Sequence, residues 1–350
     1  MNTLAVTCGD AAGVGPELAL RALAMPPAEW GARLAVYGGA GLLRRVAASA
    51  GLPWPAGAAE SAPGKAWPET GHVVVSGGAD AALETVTPGR VQETCGRRAH
   101  AWVCDAVRDI MDGRAQGLVT APASKLAMRM AGVGFPGHTE LLAHLARAPE
   151  VRMMFWSERL RVVLETIHTP LSEVPRMLSR AHLAQTLRMT ARALGTPRGG
   201  AAKIGVLALN PHAGEGGLFG REEADVLAPA IADARAEGLD VAGPLVPDTA
   251  FCWLGEGKPA PFDAWVAMHH DQGLTPFKMA AFREGVNMTL GLPFARTSPD
   301  HGTAFDLAWQ GKADPGSFFA ALRLASRMVN GTALSSPVTH THARQGWQPV

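Results

Sequence analysis

The sequence predicts an α/β protein built on a largely parallel sheet covered by helices, and three observations carry the prediction. Short apolar runs recur along the chain. They alternate with stretches whose apolar residues return at helical spacing. Three of the runs end in a histidine, where an open α/β sheet places its ligands.

Taken in order, Leu4 to Cys8 reads as the first strand, followed by Gly9-Asp10 and a helix from Pro16 to Ala24. Leu34 to Tyr37 and Val73 to Val75 are the second and third strands, and Arg98 to Met111 is a helix. Gly117 to Thr120 is a strand that stops at Ala121-Pro122. Val151 to Trp156 and Leu160 to Ile167 read as paired strands, with helices at Leu171 to Met177 and Ala181 to Ala193. Lys203 to Leu209 is a strand, Glu222 to Glu237 a helix, Phe262 to Met268 a buried strand and Ser317 to Val329 a late helix behind Pro315-Gly316. Pro53 to Thr70 and Gly195 to Ala202, rich in Pro, Gly and Ala, read as surface connections. After Ser335 there is no periodicity, and the tail reads as irregular.

Composition narrows the function classes. The chain has 350 residues, 47% hydrophobic and 18% charged, so it is globular and long enough for a substantial core. A net charge of +1 with dispersed basic residues offers no face for a nucleic acid. No apolar stretch reaches the length of a membrane span, and the start reads as a strand, not a signal peptide. Cys8, Cys95, Cys104 and Cys252 form no CxxC pair and suit a reduced, cytoplasmic protein.

The strand-end histidines are His168 after Leu160 to Ile167, His212 in Asn210-Pro211-His212, and His269-His270 before Asp271-Gln272-Gly273. Neutral imidazoles are common ligands of zinc and similar ions, so these could converge on one metal. Hydrogen-bonding surface histidines are the competing reading, and the spacing matches no local zinc motif. Gly9-Asp10-Ala11-Ala12-Gly13-Val14-Gly15-Pro16-Glu17 fails both nucleotide-loop templates, because Leu18 and Val14 stand where glycines are needed. It reads as a strand-turn-helix with Pro16 at the first helical position. Pro136-Gly137-His138-Thr139-Glu140 opens a helix, where His138 or Thr139 suits a phosphate and Thr139 serves equally as an N-cap. Lys278, Asn287 and Arg296 interrupt apolar, glycine-containing sequence and offer two cations and an amide to phosphate and carboxylate.

These segments together resemble the PdxA family, the 4-hydroxythreonine-4-phosphate dehydrogenases of vitamin B6 biosynthesis, from Gly9 to about Leu324. The resemblance rests on Gly9-Asp10 through Glu17, Pro122 to Lys125, Gly137-His138-Thr139-Glu140, Asn210 to Glu215, His270 to Gly273, Gly285-Val286-Asn287, Gly291 to Phe294, and Arg296 through Ala304. It implies an isocitrate/isopropylmalate-dehydrogenase-like fold of two α/β lobes with a cleft between them. Residues 1–130 plus 298–350 would form the cofactor-side lobe, and 131–297 the metal- and dimer-interface lobe. It implies a homodimer whose active site lies at the interface, with one divalent ion (Zn, Mg or Co) on His168, His212 and His270. It assigns substrate binding to His138, Thr139, Lys278, Asn287 and Arg296, and support around the site to Asp271, Asp248 and Lys125. Asp300, His301, Gly302 and Thr303 resemble the loop that holds the adenosine half of NAD or NADP.

The implied reaction is NAD(P)- and metal-dependent oxidation of 4-phosphooxy-L-threonine to 2-amino-3-oxo-4-phosphooxybutanoate. That product would decarboxylate to 3-amino-2-oxopropyl phosphate. A paralogue acting on phosphothreonate or phosphoerythronate is the alternative, because three positions beside the motifs depart from the family. Ala11 stands for the usual Pro, Ser124 for Asn and His269 for Tyr, and Thr275-Pro276-Phe277 follows the last.

Overall fold

A computed structural model describes residues 1–195, 201–332 and 334. Its strands are β1 (Thr3–Thr7), β2 (Arg33–Tyr37), β3 (Ala59–Ser61), β4 (Val73–Val75), β5 (Gly117–Thr120), β6 (Arg152–Trp156), β7 (Arg161–Leu164), β8 (Lys203–Leu207), β9 (Asp240–Leu245), β10 (Ala264–Ala267), β11 (Val286–Leu290) and β12 (Ala295–Pro299). All join one sheet in the order β3-β4-β2-β1-β5-β12-β11-β6-β7-β10-β8-β9.

The sheet is largely parallel, as the alternating runs predict, but it consists of two parallel blocks of opposite direction. The first runs from β3 to β12 and the second from β7 to β9. Antiparallel pairing of β11 with β12 and β6, and of β6 with β7, makes the seam between them. This is a mixed α/β architecture on one large sheet, and the seam joins its two blocks.

The inner strands of both blocks are buried on both faces, and the edge strands β3 and β9 are partly exposed; Leu4, Val36, Leu118, Val163, Val206 and Val266 are wholly inaccessible. Helices cover the faces with amphipathic stripes. In Glu93–Met111, for example, Ala99, Trp102, Val103, Ala106 and Ile110 all face inward. Two glycines set close approaches that the site depends on. Gly9, at φ +66°, lets the turn after β1 lie against the chain leaving β5; a Cβ there would sit 2.2 Å from the Pro122 carbonyl oxygen. Gly96 lets the 93–111 helix touch the backbone of helix Lys125–Met130; its Cβ would lie 2.0 Å from the Ala127 oxygen.

Most expected elements stand within a few residues of their predicted bounds, and the differences have physical causes. The Glu222 to Glu237 helix opens as a π-helical turn, Glu223–Leu227, before Ala228–Ala236. Pro229 lies at the junction and has no N–H to give to an α-helical ladder. β11 and β12 were not foreseen, because their inward residues include Asn287, Thr289, Arg296 and Ser298, and that polarity hides the strand pattern. The helix His270–Ala281 was also missed; it starts at the histidine that ends the predicted strand. Of the Gly195 to Ala202 connection, residues 196–200 lie outside the described residues, as does the tail from Ser335. Among the described residues no helix is long and apolar enough to cross a membrane.

Candidate active site

The seam supplies the floor of a cavity of about 270 Å³. Register explains why its polar residues share one patch. Phe155 of β6 pairs with Asn287 of β11, which pairs with Ser298 of β12; two residues along, Met153 pairs with Thr289. Side chains alternate across a strand, so Met153, Phe155, Asn287, Thr289, Arg296 and Ser298 look out on one face. The walls come from the chain leaving β5 (Thr120 to Ala123, and Lys125), the start of helix His138–Leu145, His168 beyond β7, His270 beyond β10, and the turn at His301 and Gly302.

Arg296 dominates the floor. It is only 3% exposed. Its two terminal nitrogens donate to Thr289 Oγ1 at 3.0 Å and Thr120 Oγ1 at 2.7 Å, and Nε has no partner. Among the described residues it makes no ion pair. Burial pushes its pKa down to about 10, and the Glu140 charge opposes that. A desolvated cation left without an anionic partner is costly, and an anion in the cavity would satisfy it.

Among the described residues, other buried polar atoms of the lining also lack a partner: His138 Nε2, Asn287 Oδ1 and His301 Nε2. Such orphans in a folded protein call for a ligand or water. Burial, then the Arg296 and Lys125 charges, lowers the His138 pKa to about 3, so the ring is neutral under ordinary conditions. His138 and Thr139 open their helix, where free backbone N–H groups favour an anion. Gly137, not Thr139, is the N-cap residue. On His301, Nδ1 donates to the Gly302 carbonyl at 2.9 Å.

Two of the three strand-end histidines meet here. The His168 and His270 rings lie 6.1 Å apart, centroid to centroid. Burial, then Lys125 and His270, lowers the His168 pKa and keeps the ring neutral, the form that ligates a metal. His270 Nδ1 donates to Asp271 Oδ1 at 2.6 Å, which orients the ring and leaves the Nε2 lone pair facing a would-be metal. The chemistry of this pair fits a divalent ion, but two imidazoles do not complete a site.

His212 does not line the cavity. It is exposed on the segment Pro211–Gly217, where residues 212 to 216 all have positive φ. Glu223 braces that segment, accepting the Leu209 and Asn210 N–H groups at 2.9 and 2.7 Å. Leu218 and Phe219 beside it are 73% and 49% exposed. Asp248, also exposed, sits on a turn packed against the same segment. Among the described residues no group of three or more His, Cys, Asp or Glu side chains is gathered as a metal would need.

The remaining expected residues divide. Lys125 lines the cavity. Lys278 does not; its ammonium donates to the Asp300 backbone oxygen at 3.0 Å and pairs with the Asp300 carboxylate. Burial raises the Asp300 pKa against the lowering effect of Lys278. The Thr303 oxygen accepts from Val14 N at 3.0 Å, so the 300–303 turn is anchored on the Gly9-to-Glu17 segment. Thr120, Glu140 and Ser298 line the site without having been singled out; Thr120 at a strand end and Glu140 beside Thr139 carried the only sequence signal.

The three departures from the family pattern occupy structural posts. Ser124 caps the 125–130 helix, accepting from Ala127 N at 3.2 Å, and His269 caps the 270–281 helix through Gln272 N at 3.4 Å. Ala11 is wholly buried, and its oxygen accepts from Trp309 Nε1 at 3.0 Å.

The chain is similar to proteins of known family. Residues 32–325 match the family model described as pyridoxal phosphate biosynthetic protein PdxA. A 4-hydroxythreonine-4-phosphate dehydrogenase from Desulforapulum autotrophicum is 42% identical over 325 residues, covering 92% of this chain and 94% of the relative. A D-threonate 4-phosphate dehydrogenase from Salmonella typhimurium is 40% identical over 328 residues, covering 94% and 99%. The crystal structure of 4-hydroxythreonine-4-phosphate dehydrogenase from Klebsiella pneumoniae superposes with a TM-score of 0.80 at 39% identity, covering 94% of this chain and 98% of that one.

Proposed function

The chain belongs to the PdxA family, and from that premise we propose that it is an NAD(P)-linked, divalent-metal-dependent dehydrogenase. Its substrate would be 4-phosphooxy-L-threonine, oxidised at the C3 hydroxyl. The observation that carries the reading is the grouping, in one cavity, of an unpaired buried Arg296, a neutral His138 at a helix start, and two imidazoles, His168 and His270.

Each group has a task. Arg296, His138 and the N–H groups opening helix 138–145 hold an anionic end of the substrate. Asn287 Oδ1 accepts a hydrogen bond from a substrate hydroxyl or ammonium. His168 and His270, with His212, would hold the metal. A divalent ion there supplies Lewis-acid polarisation of the C3 oxygen. The enclosing walls fix the C3–H bond toward the nicotinamide acceptor, which His301 and Gly302 border on the other lobe.

His212 supports a homodimeric reading of the site. It stands outside its own chain's cavity on an exposed turn, beside Asp248 and the exposed apolar Leu218 and Phe219. In a two-fold dimer that turn would enter the partner's cavity and complete the ligand set. The lobes would then divide near residues 130 and 298, with the metal and the dimer contact on the central segment.

A second substrate, D-threonate 4-phosphate, is favoured by one observation: the 40% identical relative of that name matches the chain over nearly its whole length. The two substrates differ only in an amino or hydroxyl group at C2. Purified protein should be assayed with each, with NAD and with NADP, in Mg, Zn and Co, following nicotinamide absorbance. Reduction with 4-phosphooxy-L-threonine is expected. Reduction only with the threonate shifts the substrate, and reduction with neither, under any combination, overturns the dehydrogenase reading.

A further inference from the structure

Three strand ends carry the imidazoles of the proposed metal site, and a chain of hydrogen bonds ties those ends together outside the cavity. His168 follows β7, His270 follows β10 and His212 follows β8. The three strands are neighbours, in the order β7-β10-β8. The paired register of β10 stops at Ala267–Leu164 on one side and at Val266–Val206 on the other. Past those points the strands need other partners for their peptide groups.

Side chains supply them. Gln272 lies in the first turn of helix His270–Ala281. Its Oε1 accepts from Met268 N, and its Nε2 donates to Ala208 O, both at 2.7 Å. The carboxamide carries the N–H and C=O of one peptide unit, so it continues the β10–β8 ladder past the last backbone pair. On the β7 side, Thr166 Oγ1 donates to Met268 O at 2.7 Å, and Thr166 N reaches the same oxygen at 3.3 Å. Met268 and Ala208 are wholly inaccessible, and Thr166 is buried. Ala208 N donates to Leu245 O of β9 at 2.8 Å, which extends the tie to the sheet edge.

We propose that Gln272 is a positioning residue for the metal site, which with Thr166 fixes the three histidine-bearing strand ends relative to one another, an inference that rests on the metal-dependent reading above. Neither side chain lines the cavity, so both act through the histidines. The demand on position 272 is specific. Asn is a methylene too short to span from Met268 to Ala208, and Met has the length but neither donor nor acceptor. In the proposed homodimer His270 serves its own chain's cavity and His212 the partner's, so losing Gln272 disturbs one ligand in each of two sites.

Cobalt(II) is titrated into the chelator-treated, full-length protein and followed by calorimetry and by visible d–d absorption, beside a thermal melt without metal. Gln272→Met should weaken cobalt binding about tenfold or more and change the position and intensity of the d–d bands at saturating cobalt. Gln272→Asn should fall between it and the unmodified chain. Thr166→Val should weaken binding in the same direction, and Thr166→Ser, which keeps the hydroxyl, should restore it to within about twofold. Lower melting alone, with cobalt affinity and spectrum unchanged in Gln272→Met, overturns the proposal and leaves Gln272 a structural clasp. Thr166→Ser as weak as Thr166→Val overturns the hydrogen-bonded tie to β7. No cobalt binding by the unmodified chain sinks the metal reading and this inference with it, whereas cobalt binding that is indifferent to both positions sinks this inference alone.

Discussion

Replacing Arg296 by Met should separate stability from function. The guanidinium is 3% exposed, is bonded among the described residues to the hydroxyls of Thr289 and Thr120, and has its pKa pushed down to about 10 by burial. That displacement means that the charged form is disfavoured in the fold by about 3 kcal/mol, a cost present at every pH below the folded value. Met, similar in length and apolar, removes the cost. It forfeits two hydrogen bonds of about 1 kcal/mol each. The balance is a melting temperature unchanged or raised by roughly 2 °C in the ligand-free protein. Binding of phosphate or substrate should fall at least about 30-fold, because the anion loses the buried cation that faces it. Thermal melts without ligand and calorimetric titration with inorganic phosphate read the two effects separately. A variant that melts several degrees lower and binds phosphate as before would show that Arg296 is a structural post, and the anion-site reasoning would fail.

Two more predictions follow from the same geometry. Asp10 is wholly buried, and Ala12 N donates to its Oδ1 at 2.9 Å. Burial raises its pKa to about 6. A raised carboxyl binds its proton more tightly in the fold, so the stability it contributes is present in acid and is lost as pH rises through the folded value. Asp10→Asn should therefore stabilise the protein by about 2 kcal/mol at neutral pH and hardly at all near pH 4, read by denaturant unfolding at both; an equal change at both would contradict the linkage. His168→Ala and His212→Ala should each be inactive and metal-poor alone. Co-expressed, they should regain about a quarter of normal activity, since half the dimers are mixed and each rebuilds one site of two. No recovery in isolated mixed dimers would place His212 in its own chain's site.

The α/β class and most of the strands and helices were legible in the sequence, because burial on both faces forces continuous apolar runs and amphipathic helices leave a 3.6-residue stripe. His168 and His270 were legible for a related reason: a polar residue that ends such a run stands where a sheet opens to ligand. β11 and β12 were not, because strands that floor a polar cavity spend their alternate positions on Asn287, Thr289, Arg296 and Ser298 and lose the pattern that reveals a strand.

What the amino-acid order determined alone was local: which segments bury themselves, where they stop, and which side chains of the right chemistry wait at the stops. Only the tertiary structure decided which of these meet. Antiparallel register across the seam put Arg296 in the cavity with His138, with no counter-ion among the described residues; a glycine contact held Lys125 at the same wall while Asp300 took Lys278 out of it; and a left-handed turn carried His212 outside. These outcomes depend on pairings between residues far apart in the chain. No local propensity encodes them, and they set the charge and the ligands of the site.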